Sequence, residues 1–382
     1  MSDGLGTDGG LCAGFDPNRM TIDLGIVAAN FGEVRRRLGP RRKIIGTLKG
    51  DAYGHGAVPV ARILVGLGVD LLASGNLREA IALRRAGIAA PVVLLGAQLA
   101  AAIPDIVAND LIPTLDDPRA AAALSRAARS PLPVFVKVDG GFGRFGVPLA
   151  EAAAFVAAGA ARPMLTVAGL YTHLPFADAP GRDWARGRTA AFDALASALA
   201  ARGLAIPVVQ SLASPGLLAG LKDGGTAVAV GHLLYGLSPV GDELGRATAV
   251  DRFRPVLRAI KARLIHVGER PPGEAAAPYL RHCRGSIGVV SIGIQHGYRP
   301  ALGAAHMLIG GRPAPLLRVC LENTIVDLAG HPDAAIGDAV VVVGARQGPG
   351  VSLRDLAAWQ STSPLGLLTA LGRSLPRRYV EM

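Results

Sequence analysis

One short segment gathers a lysine, a tyrosine and a histidine between glycines: Lys43-Ile44-Ile45-Gly46-Thr47-Leu48-Lys49-Gly50-Asp51-Ala52-Tyr53-Gly54-His55-Gly56. The apolar run before Lys49 reads as a short buried strand, and the glycines after it read as a loop. A lysine at the mouth of a buried strand loses hydration, which favours its neutral amine. A neutral amine is a nucleophile and a proton acceptor, and it can hold a carbonyl compound as a Schiff base. Tyr53, four residues on, can turn back over the same mouth and offer its hydroxyl to a phosphate. The plainer alternatives are a surface lysine whose stem lies along apolar surface and a core aromatic with a wet hydroxyl.

Further residues with chemical potential also fall at strand ends. Lys137-Val138-Asp139-Gly140-Gly141-Phe142-Gly143-Arg144-Phe145-Gly146 is a strand end followed by a glycine-rich loop with an arginine. Asp139 and Arg144 could equally form a structural ion pair. His173 closes Leu170-Tyr171-Thr172-His173, and a lone histidine there is commonly a satisfied structural residue. Ser214 follows the run Val208–Leu212. Gly231 lies in Val230-Gly231-His232-Leu233-Leu234-Tyr235-Gly236, and Tyr379 in Leu375-Pro376-Arg377-Arg378-Tyr379. Backbone N–H groups, hydroxyls and cations of this kind suit a phosphate.

In order and spacing, these strings resemble the signatures of the alanine racemase family, fold-type III pyridoxal phosphate (PLP) enzymes, from about residue 20 to the end. The resemblance implies PLP on Lys49 as a Schiff base, with Lys49 also serving as one catalytic base. It implies that Arg144 lies near the cofactor's phenolic oxygen and that Lys137 pairs with it, carbamylated in some members. It implies His173 against the cofactor ring, and Tyr53, Ser214, Gly231 and Tyr379 around the phosphate. A (β/α)8 barrel with a β-domain is implied as well, in a homodimer whose partner subunit completes each active site. The substrate class would be a small amino acid.

Several positions depart from the pattern. The family's second base is a tyrosine in a Gly-Tyr-Ala-Asp-Gly-Tyr string, but this chain reads Gly293-Ile294-Gln295-His296-Gly297-Tyr298. Ile294 cannot transfer a proton. If the segment is extended, His296 projects to the same face as Ile294, and imidazole has a suitable pKa for the role. Ala229 stands where an arginine faces the pyridine nitrogen. Ala213 precedes Ser214 in place of an asparagine. Val319-Cys320-Leu321-Glu322-Asn323 has Leu-Glu for Met-Asp. Three activities follow: an amino-acid racemase with a substitute base at His296; one-face PLP chemistry such as aldol cleavage, decarboxylation or transamination; or a non-catalytic PLP-binding protein.

The elements that must position these residues alternate over about 200 residues. Strand-like runs are Ile44–Leu48, Leu71–Ser74, Val92–Leu95, Val134–Val138, Val167–Thr172 and Val208–Leu212. Helical spacing recurs in Leu77–Ile88 and Thr189–Ala201. Such alternation predicts parallel strands with right-handed crossovers, most simply a (β/α)8 barrel over residues 19–245. An open doubly wound sheet is the alternative, but no GxGxxG follows the first strand. The runs Ile287–Ile292, Leu316–Cys320, Thr324–Leu328 and Ala339–Val343 predict a mostly antiparallel β-domain over 246–382. Glycine-rich residues 1–18 read as a disordered tail.

The chain has 382 residues, half of them apolar, with a formal charge of +11. Its arginines are dispersed and do not interleave with aromatics, so nucleic acid is not expected as a partner. No uninterrupted apolar stretch is long enough to span a membrane. Cys12, Cys283 and Cys320 form no CxxC pair or even framework, which fits a reducing cytoplasm. No metal is expected.

Overall fold

The computed structural model describes residues 16–272, 276–301, 303, 305–344 and 350–381. The chain forms two units. One comprises Leu24–Val256; the other joins the residues up to Asp23 to Leu257–Glu381. The division therefore falls later than the predicted residue 245, and β1 (Arg19–Asp23) belongs to the second unit. The reason is pairing: β1 lies between two strands of that unit. The predicted tail over residues 1–18 extends too far, because the Asn18 side chain is buried and donates to the Ser291 carbonyl. Residues 1–15 lie outside the described residues.

The first unit carries β2 (Lys43–Thr47), β3 (Leu71–Ser74), β4 (Val92–Leu94), β5 (Thr114–Leu115), β6 (Leu132–Asp139), β7 (Val147–Pro148), β8 (Leu165–Tyr171), β9 (Val208–Gln210) and β10 (Ala227–Val230). Two parallel sheets run β10-β2-β3-β4 and β5-β6-β8-β9, with the short β7 beside β6. Parallel bridges Val93–Ile112 and Ala213–Ala229 join their edges. The result is a closed ring of eight parallel strands. Ile45, Leu71, Ala73, Val93, Ile112, Phe135, Tyr171, Val208 and Ala227 form a buried cluster from successive strands, the packed interior expected of a barrel. The helix read over Thr189–Ala201 begins earlier, at Ala179, where the Asp178 side chain caps it by accepting from the Gly181 N–H.

The second unit carries β1 and β11 (Leu257–Gly268), β12 (Ile287–Val290), β13 (His306–Ile309), β14 (Arg312–Val319), β15 (Thr324–Asp327), β16 (Ala339–Val343) and β17 (Arg377–Val380). The strand order is β12-β15-β14-β13-β16-β11-β1-β17, and β11 also pairs with β12, so the sheet curls back on itself. The pairings are antiparallel except β1 with β17. The 12-residue β11 is absent from the strand runs read in the sequence because arginines and lysines interrupt its apolar positions. Two helices, Leu353–Trp359 and Pro364–Ser374, precede β17. No helix among the described residues is long and apolar enough to cross a membrane.

Candidate active site

The residues after β2 take an unusual path. Gly50, Asp51 and Ala52 have φ of 63°, 56° and 55° with ψ of 44–52°, and Tyr53 has φ 57°. This is a left-handed turn in which only the first residue is glycine. Left-handed conformation costs an L-residue roughly 1–2 kcal/mol, so three non-glycine residues store strain at this point. Local bonds oppose it. The Ala52 N–H donates to the Leu48 carbonyl at 2.7 Å, and the Ala57 N–H to Asp51 Oδ1 at 2.7 Å. His55 Nδ1 bonds the Ala52 carbonyl at 2.9 Å and its ring stacks on Tyr235. The Tyr235 hydroxyl donates to the Thr47 carbonyl at 2.8 Å.

This turn delivers Lys49 and Tyr53 to a cavity of about 380 Å³ at the C-terminal ends of the barrel strands. Lys49, Tyr53, Arg144, His173, Ser214 and Gly231 all line it, together with Lys137. Six of the seven predicted cofactor-binding residues are thus gathered in one place. Each follows a different strand or strand-end loop, apart from Lys49 and Tyr53, which share the loop after β2. The seventh, Tyr379, is in β17 of the other unit, opposite Ile22 in register.

The cavity is cationic and its ionisable groups are largely buried. Burial lowers the Lys49 pKa, and the nearby Arg144 guanidinium lowers it further. Lys137 is pushed down to about 8 by burial and then by Arg144. Burial, helped by Lys49 and Arg144, takes His173 down to about 3. His232 falls to about 4 by burial and then Lys49. Both imidazoles are therefore neutral at pH 7. Tyr53 rises to about 12 through burial and stays a hydroxyl. The lining residues include three basic side chains and no carboxylate.

Arg144 sits in a loop built by its neighbours. Asp139 does not pair with it. Instead Asp139 Oδ1 accepts from the N–H groups of Gly141, Phe142 and Gly143. Burial alone would raise the Asp139 pKa, but the N–H groups outweigh it and the net shift is downward. Lys137 Nζ donates to the Arg144 carbonyl at 2.8 Å. The guanidinium lies 5.1 Å from the Phe142 ring centroid and 5.8 Å from that of Phe145, within cation–π range. The loop closes at Gly146, whose φ is 98° and where a Cβ would stand 2.8 Å from the Asp139 nitrogen.

On the opposite wall, the Gly231 N–H donates to Ser214 Oγ at 3.1 Å. A Cβ at Gly231 would lie 2.3 Å from Tyr53 Oη. Glycine there lets one backbone N–H and the Ser214 and Tyr53 hydroxyls meet on one wall. The hydroxyl of Thr172, also a lining residue, is buried with no hydrogen-bond partner. Donors, cations and an absence of lining carboxylates suit a phosphorylated carbonyl cofactor beside an amine of lowered pKa. Gly231→Ala is expected to displace Tyr53 and weaken PLP binding at least about tenfold, read by absorbance titration against the wild type.

The predicted second base requires correction. Residues Ile294–His296 form a 3-10 turn, not an extended segment, so the shared-face argument for Ile294 and His296 fails. The turn is imposed by Gly297, which adopts φ 82°, and by the Gly293 N–H, which donates to His296 Nδ1 at 3.1 Å. That bond uses the lone pair a neutral imidazole would need to accept a proton. Burial also lowers the His296 pKa. Ile294 is 45% exposed and its N–H bonds the Cys320 carbonyl.

Several lining residues were assigned no role in the sequence, although Thr172 and His232 sit inside the strings around His173 and Gly231. Thr172, Gln210 and His232 follow or end β8, β9 and β10, and position at a barrel strand's C-terminal end is the signal that could have found them. Ala229 does line the cavity, so the missing arginine is a local feature of this wall.

The chain matches known proteins along both units. Residues 22–239 match the model for the alanine racemase N-terminal domain and residues 258–379 that for the C-terminal domain. The chain is 32% identical to an alanine racemase of Halothermothrix orenii over 95% of this chain and 97% of that one. It is 33% identical to an alanine racemase of Desulfovibrio desulfuricans over 94% and 97%. The solved alanine racemase of Clostridium difficile 630 superposes with a TM-score of 0.87 at 26% identity, over 96% of each chain. Matched along both units and carrying the lysine cavity in its barrel, the chain belongs to the alanine racemase family of PLP-dependent isomerases.

Proposed function

We propose that the protein racemises a small amino acid, alanine being the first choice, with Lys49 holding the cofactor and moving the proton on one face. The observation that carries this reading is the Lys49 amine of lowered pKa in the same cavity as the Ser214, Gly231 and Tyr53 cradle. When bound, PLP withdraws electrons from the amino-acid Cα and lowers the barrier to losing its proton. The chain's own residues do the rest. Gly231, Ser214 and Tyr53 would hold the phosphate. Arg144 would set a positive charge beside the phenolic oxygen. His173, neutral, would pack against the ring without adding charge. The Lys49 amine, its pKa lowered by burial and by Arg144, would take the Cα proton on one face and return it.

The opposite face is the weak one. Ile294 has no exchangeable proton, and the acceptor nitrogen of His296 is committed to Gly293. Racemisation should therefore lag behind one-face proton exchange. The same observation favours one-face chemistry as the second reading. The test is incubation with D- and L-alanine in D2O, following Cα–H loss by NMR and configuration by chiral chromatography. Racemisation slower than exchange of one enantiomer is expected. Equal rates would place an efficient base on both faces, while no exchange with any small amino acid would remove the racemase reading.

We further propose a homodimer in which the turn at Ile294 serves the partner subunit's site, as the family resemblance implies. Closed two-fold pairs are the commonest assembly, and Ile294 and Leu321 are exposed apolar side chains of one unit. Light scattering should give twice the 39.1 kDa chain mass; a fully active monomer would contradict the shared site. A cytoplasmic location is supported by Cys283 and Cys320, both free, and fractionation would check it.

A further inference from the structure

The left-handed turn after Lys49 is held from outside by one carboxylate. Glu79 lies in the first turn of the helix Leu77–Arg85. Its Oε1 accepts the Asp51 N–H at 3.0 Å, inside the left-handed run. Its Oε2 accepts the Ser74 hydroxyl at 2.8 Å, at the end of β3. Ser74 is fully buried. The next residue, Gly75, faces the Lys49 stem, and a Cβ there would stand 3.5 Å from Lys49 Cδ. The Leu48 N–H donates to the Ala73 carbonyl at 2.7 Å in the same seam.

Glu79 therefore ties the turn that carries Lys49 and Tyr53 to the strand end that walls the Lys49 side chain. A turn with three non-glycine residues in left-handed conformation has right-handed alternatives of lower local energy. Any of them would re-aim Lys49 relative to Tyr53, because the two residues bracket the turn. We propose that Glu79 is a positioning residue of the Lys49 site, acting through the Asp51 N–H and the Ser74 hydroxyl to fix the lysine relative to the phosphate cradle. The proposal rests on the reading of Lys49 as the cofactor lysine. Glu79 itself touches neither substrate nor cofactor; its effect passes through the backbone.

Two variants separate hydrogen bonding from charge. Glu79→Gln keeps an oxygen for the Asp51 N–H and an amide that donates to Ser74 Oγ. Glu79→Ala removes both bonds. In the holoenzyme, Glu79→Ala is expected to weaken PLP binding by about tenfold or more and to shift the pH midpoint of the bound cofactor's absorbance. Glu79→Gln should restore both to near wild type. Should Glu79→Ala fail to fold, Ser74→Ala removes one anchor only and should move the same two readouts in the same direction by less. Wild-type affinity and midpoint in whichever of these two alanine variants folds would overturn the proposal, and so would a Gln variant as impaired as the Ala variant. Borohydride reduction and peptide mapping of wild type keep the two readings distinct. Label elsewhere than Lys49 removes the parent reading, whereas label on Lys49 with an unaffected Glu79→Ala removes this inference alone.

Discussion

Lys49→Ala eliminates the borohydride-fixed cofactor and lowers Cα–H exchange by at least ~10²–10⁴-fold, the range for losing a general base. The loss should reach the upper end because the same amine both holds the cofactor and moves the proton. Burial and Arg144 keep that amine ready to lose its charge, and none of the other lining groups duplicates it. His173 and His232 are neutral but bind protons only near pH 3 and 4, too weakly to hold one at pH 7. Lys137 is tied to the Arg144 carbonyl. The measurement is the rate of deuterium incorporation into D- and L-alanine, with mass spectrometry of the reduced protein. Exchange within tenfold of wild type in Lys49→Ala would mean that another group is the base.

Ile294→Tyr is expected to raise racemisation by ~10²-fold or more while leaving the faster one-face exchange nearly unchanged. The same general-base magnitude applies, now as a gain. Ile294 is 45% exposed in its 3-10 turn, and its backbone is held by the Cys320 carbonyl independently of the side chain. A tyrosine should therefore be accommodated with little loss of stability, which a melting curve would check. Ala229 limits the gain, since the wall it leaves lacks the arginine of the family pattern. His296→Ala is the companion variant. With its acceptor nitrogen already bonded to Gly293, His296 should contribute little, and racemisation should change less than about threefold, within the scatter of a single neutral hydrogen bond. A large loss in His296→Ala, with no gain in Ile294→Tyr, would restore His296 as the second base.

The barrel and most of its site were legible in the sequence for a local reason. Six of the eight parallel strands contain short runs rich in Val, Ile and Leu, and candidate site residues follow several of them directly; the two-residue β5 and the alanine-rich β10 were not read in the sequence. Leu71–Ser74 and Ala339–Val343 coincide with their predicted bounds. Lys49, Tyr53, Arg144, His173, Ser214 and Gly231 converge because a closed ring brings every strand's C-terminal end to one mouth. Features made by distant partners were not legible. β1 joins the second unit because β11 and β17 accept it, 230 residues or more away in sequence, and that moved the boundary to Val256.

Local spacing also misled at His296. Period-two reasoning holds only for extended backbone, and the Gly293 and Gly297 conformations turn Ile294–His296 into a 3-10 turn instead. The left-handed run from Gly50 to Tyr53 was likewise invisible, since Asp51, Ala52 and Tyr53 do not favour it. Residue type and order settled which groups this chain brings to its chemistry: an amine, hydroxyls, an arginine, and an isoleucine where the family has a tyrosine. Tertiary packing alone decided their direction and their burial. Strand closure desolvates Lys49 and the two histidines, and the bonds of Glu79 hold a turn that its own residues would not choose.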